Sequence, residues 1–83
     1  MPRFYFRIHN ASGLTADQEG RDLSDLKAAH AEALKDARVL MVDELLQGEI
    51  DLGSFIEIAD RNHKLLYTLT FRDAVTVKST SRR

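Results

Sequence analysis

Residues 3–9 alternate strictly: Phe4, Phe6 and Ile8 are apolar, while Tyr5, Arg7 and His9 lie between them. A period of two predicts a strand with one buried face. Asn10-Ala11-Ser12-Gly13 follows with turn chemistry, and a short polar strand is expected over 17–22. The period then changes. Leu26, Ala29, His30, Ala33, Leu34, Ala37, Leu40 and Met41 fall on one helical stripe. Ser24 is the expected N-cap and Gly48 the expected left-handed stop. The helix so bounded runs over 25–47, about 35 Å. After Gly53 a hairpin is predicted, with strands over 54–59 and 64–71 joined by Asp60-Arg61-Asn62-His63. A two- or four-residue loop there puts Ile56 and Ile58 on one face with Leu65, Tyr67 and Leu69; a three-residue loop with a bulge reverses the pairing. The first is favoured on pattern. Phe71 to Val75 is expected to close with a helical turn.

The order β-β-α-β-β predicts an α+β domain, with one long helix packed on one face of a three- to four-stranded antiparallel sheet. Residues 1–77 form the single domain, and 78–83 read as a flexible basic tail. A compact chain of this length has a radius of gyration of roughly 12 Å.

These residues also resemble a family of short bacterial proteins, from soil α-proteobacteria, known only as a domain of unknown function. The resemblance lies in the opening Met1-Pro2-Arg3-Phe4-Tyr5-Phe6 and in Asp17-Gln18-Glu19-Gly20. It continues through Leu23, Leu26, Ala29 and Ala33, then Ile56-Glu57-Ile58-Ala59-Asp60 and Phe71-Arg72-Asp73-Ala74. His63 departs from it, standing where such hairpins place a glycine. The resemblance implies a fold and an origin but no activity.

Composition narrows the chemistry further. The 83 residues carry 12 basic and 13 acidic side chains, a formal charge of −1 that argues against a polyanionic partner. The chain has no cysteine, which removes disulfides, thiolate zinc sites and thiol nucleophiles. No apolar run is long enough to span a membrane, and a cytoplasmic protein is the expectation. His9, His30 and His63 show no metal-ligand spacing; His30, on the apolar stripe, is expected to be partly buried with a hydrogen-bond partner. Asp17, Glu19, Asp22 and Asp25 crowd the approach to the helix, where carboxylates suit the dipole. Whether that segment binds a metal stays open. Pro2, at a strand's start, suits a general-base proline amine only if Met1 is removed; a strand's first residue is an ordinary place for proline. No catalytic constellation emerges, so neither an enzyme nor a cofactor nor a small-molecule ligand is expected.

Two surfaces remain. Val39, Val42 and Leu46 form a second helical stripe at i, i+3, i+7, well round from the first. A helix apolar on two sides needs two things to pack against. The second is either the chain's own Ile50, Leu52, Val75 or Val77, or another copy of the chain. Asp43, Glu44 and Glu49 crowd the wrong end of the helix dipole, which calls for a basic neighbour or a frayed last turn. The leading expectation is a non-catalytic, homodimeric interaction module using Val39, Val42 and Leu46. The alternative is a weak nucleic-acid binder using Tyr5, Arg7 and His9 on the sheet's open face, with Phe55 and Leu66 beside them and the basic tail.

Overall fold

In the computed structural model, which describes residues 1–10, 13–17 and 19–80, the alternating segment becomes β1 (Arg3–Asn10). It is followed by β2 (Gly13–Ala16), β3 (Arg21–Asp22), α1 (Leu26–Leu46), β4 (Phe55–Ala59), β5 (Leu65–Thr70) and the short α2 (Phe71–Ala74). All strand pairs are antiparallel. β1 lies inside the sheet, with β4 on one side and both β2 and β3 on the other; β5 pairs the far edge of β4. The fold is α+β, as the patterning predicts.

The early polar stretch behaves differently from expectation. The single strand expected over 17–22 is two separate pairings, so the described sheet has five strands. β2 starts earlier, directly after the turn, with Asn10 paired to Gly13. All four β2 residues are exposed, so no buried face leaves an alternation to read. The Asp17 N–H still donates to the Phe6 carbonyl at 2.9 Å, and β3 rejoins β1 further on, through Arg3 with Asp22 and Phe4 with Arg21. Of the expected turn and acidic segment, Ala11, Ser12 and Gln18 lie outside the described residues, as do Ser81, Arg82 and Arg83 of the tail.

Helix α1 begins one residue later than expected. Asp25, not Ser24, is extended and accepts the Ala28 N–H at 2.8 Å through Oδ1. Its end matches expectation. Gly48 takes φ +90°, and the N–H groups of Gly48 and Glu49 reach back to the Leu45 and Glu44 carbonyls. That double closure satisfies two end carbonyls, so the last turn is held rather than frayed. Ala29, Ala33, Ala37 and Met41 are buried along the inner face. They pack in one core with Phe4, Phe6, Ile56, Ile58, Leu69, Phe71 and Ala74. Three alanines in a column keep the helix close to the sheet, because each projects only a methyl group.

The β4–β5 hairpin reaches the expected pairing by another route. The His63 N–H donates to the Asp60 carbonyl and the Asp60 N–H to the Lys64 carbonyl, closing a three-residue loop with His63 at φ +65°. Such a loop alone would turn Leu69 outward. Ala59 faces Leu65, but Ile58 faces Tyr67 and Ile56 faces Leu69, with the shift between Ile58 and Ala59. Leu66 is the extra residue. The bulge cancels the slip and returns Leu69 to the core. Leu65 is thereby displaced from the face it was expected to share with Tyr67.

The radius of gyration is 14.2 Å, above the roughly 12 Å of a compact chain this long. α1 spans about 31 Å, longer than the strands it crosses, so its C-terminal part is an overhang.

Candidate functional site

The second stripe begins at Val39, level with the buried Ala37 and Met41, and runs on into the overhang. Val42 follows Ala37 by five residues, which places it roughly 140° round the helix from the buried column. Val39 is 62 % exposed, Val42 59 %, Leu45 58 % and Leu46 78 %. Leu45 extends the stripe beyond the three residues expected. None of the chain's own candidate covers lies over it. Leu52 and Val75 pack against the core instead, while Ile50 and Val77 are themselves exposed. Val39 also rims an open hollow of about 250 Å³, with Ile8, Arg21, Lys35, Asp36 and Leu40. Lys35 lies seven residues before Val42 and Glu49 seven residues after it. Among the described residues neither side chain joins an ion pair within the chain.

The acidic segment before α1 is divided between two arginines. Arg3 grips Asp22 with two bonds, Nε to Oδ1 at 2.9 Å and Nη2 to Oδ2 at 3.1 Å, and its Nη1 donates to the Glu19 carbonyl. Hydrogen bonding and charge from Asp22 raise the Arg3 pKa above its usual value. Arg21 sits 4.4 Å above the Phe6 ring. It donates to Asp36 Oδ2 at 2.7 Å and lies 3.6 Å from both Glu32 and Asp17. It thus ties β3 to α1 while covering the core's edge. Asp17 accepts the Gly20 N–H, and Asp25 is the cap. Among the described residues no three His, Asp or Glu side chains converge as metal ligands. Sequence reading shows the carboxylates but not these partners, because both arginines reach them through tertiary pairing.

On the open face the register brings Tyr5, Arg7 and His9 together, facing Ala59, Glu57 and Phe55 in that order. His9 Nε2 lies 2.7 Å from Glu57 Oε1, and Arg7 Nε is 3.6 Å from the same oxygen. Arg7 Nε is shielded from solvent and makes no hydrogen bond of its own. The His9 ring stacks on Phe55 at 4.4 Å and 13°. Glu57 is the residue that sequence reasoning missed; its signal is the alternating outward position in Phe55-Ile56-Glu57-Ile58. Leu66, expected on this face, packs against the core. His30 is half-buried as expected, but its contact among the described residues is the edge of the Tyr67 ring at 4.9 Å rather than a hydrogen bond. Pro2 borders a hollow of about 310 Å³ shared with Met1, Arg3, Phe4, Asp60, Arg61 and Asn62. The Pro2 carbonyl accepts the Leu23 N–H, and the Asp60 carboxylate is taken up by the Asn62 and Lys64 N–H groups of the turn. Among the described residues no helix is long and apolar enough to cross a membrane.

A family model described as a domain of unknown function (DUF6894) matches residues 3–72. No curated protein and no solved structure matches the chain.

Proposed function

The chain belongs to the DUF6894 family, and since no activity accompanies that membership we propose, from its surface, a non-catalytic interaction module that self-associates through Val39, Val42 and Leu46. The carrying observation is the exposure of these residues and Leu45 on a well-capped helix whose opposite face is fully committed to the core. Four neighbouring aliphatic side chains lose unfavourable hydration when a second apolar surface covers them. A second copy fits because the stripe is flanked by a cation, Lys35, at one end and an anion, Glu49, at the other, neither of them in an ion pair among the described residues. Such a surface is complementary to itself.

The open sheet face is the weaker contact. Tyr5 is available there, but Arg7 and His9 both lie against Glu57, whose charge opposes an approaching phosphate. Val42→Asp combined with Leu46→Asp places two charges on the stripe without touching the core. The double variant is expected to be monomeric by sedimentation equilibrium, with an unchanged far-ultraviolet circular dichroism spectrum. A parent protein that remains monomeric at millimolar concentration would remove the proposal.

A further inference from the structure

We infer that two copies meet with their α1 helices antiparallel, on a twofold axis at Val42, so that Lys35 of each copy lies at the acidic C-terminal end of the partner's helix. This rests on the self-association just proposed and specifies its geometry. The charges flanking the stripe differ at its two ends, and only one orientation uses that difference. Lys35 stands on the helix about 10 Å to one side of Val42; on the other side the helix ends at Leu46, and the turn at Gly48 brings the Glu49 N–H back to the Glu44 carbonyl, leaving Glu49 beside the helix end. An antiparallel pairing centred on Val42 sets Val42 against Val42 and Val39 against the partner's Leu45. Each Lys35 then lies towards the partner's helix end, where Asp43 and Glu49 stand. A parallel pairing would instead set lysine against lysine and glutamate against glutamate, which is destabilising.

The helix end supplies an independent reason. The last turn of α1 has no basic residue, while Asp43 and Glu44 lie near it and Glu49 just beyond, where negative charge opposes the helix dipole. Glu44 is occupied, accepting the Asp51 N–H at 3.2 Å. Asp43 and Glu49 have no cation within the chain among the described residues. The turn does not fray, because Gly48 and Glu49 close it. The basic neighbour that this end calls for is absent among the described residues of its own chain and present on an antiparallel copy. A shallow crossing of about 20° keeps the axes within 8–10 Å over this short stretch.

The cysteine-free chain accepts single spin labels without background. Lys27→Cys and Ala31→Cys place them on exposed helical sites N-terminal to the stripe, about two turns or more before Val39. Antiparallel crossing at Val42 predicts label separations near 45 Å and 33 Å respectively, a drop of about 12 Å over four residues. In parallel, Lys35→Glu should weaken dimerisation about three- to tenfold, and adding Glu49→Lys should restore it. Separations that are short and equal at the two sites mean a parallel pair and overturn the inference. A dimer whose separations ignore this slope also overturns it, while leaving self-association through another surface. A monomeric parent protein overturns both.

Discussion

Gly20 and His63 both hold positive φ, +76° and +65°, with opposite consequences for substitution. A Cβ on Gly20 would lie 2.8 Å from Arg3 Cγ, 2.9 Å from Tyr5 Cε2 and 3.0 Å from the Phe4 carbonyl oxygen. Gly20→Ala therefore meets both backbone strain and a backbone atom, and is expected to cost about 2–3 kcal/mol. His63 is exposed and carries the strain already, with a ring contact to Tyr5 at a centroid distance of 6.3 Å in return. His63→Gly should gain about 0.5–1 kcal/mol. Thermal unfolding should show Tm lowered by roughly 8–24 °C for Gly20→Ala and raised by roughly 2–8 °C for His63→Gly. At this scale the sequence is readable where the backbone dictates the residue: a glycine in the acidic segment, and a histidine standing in a glycine's place. It is not readable where a side chain is defined by its partner. Nothing near Glu57 announces Arg7 and His9, and nothing near Arg21 announces Asp36 and Phe6.

Elements were legible in proportion to how one-sided their surroundings are. β1 and α1 each bury one face in the core, and their periods gave their bounds to within a residue or two. β2 is exposed throughout and carried no period at all. The β4–β5 hairpin shows a subtler limit. Pattern identified the inward residues Ile56, Ile58 and Leu69, yet two irregularities that cancel leave no net trace in that pattern. The alanine column of α1 sets the helix–sheet spacing, so enlarging it should be felt at once. Ala33→Leu, at a fully buried position, is expected to destabilise by about 1–3 kcal/mol. Urea unfolding should show this as a lower midpoint with an unchanged slope.

For the whole molecule, the class and the single helical layer followed from element order, but the strand order did not. β1 pairs with β4, some fifty residues away, and no local feature of either strand names the other. The second helical stripe was visible in the sequence. Its openness was not, since Leu52 and Val75 could have covered it until the structure placed them in the core.

That central seam has a practical consequence. Phe4, Phe6 and Ile8 lie on one side of it, Ile56 and Ile58 on the other, and between them runs the exposed connection around Glu49 and Asp51. Cutting there would leave two pieces whose missing half is each other, one bringing the helix and the other two strands and a closing turn. Fragments 1–49 and 50–83, made separately, should be largely unstructured alone and recover helical dichroism when mixed in equal amounts. The protein would then serve as a two-part reporter, dark when its pieces are apart and assembled when something brings them within reach.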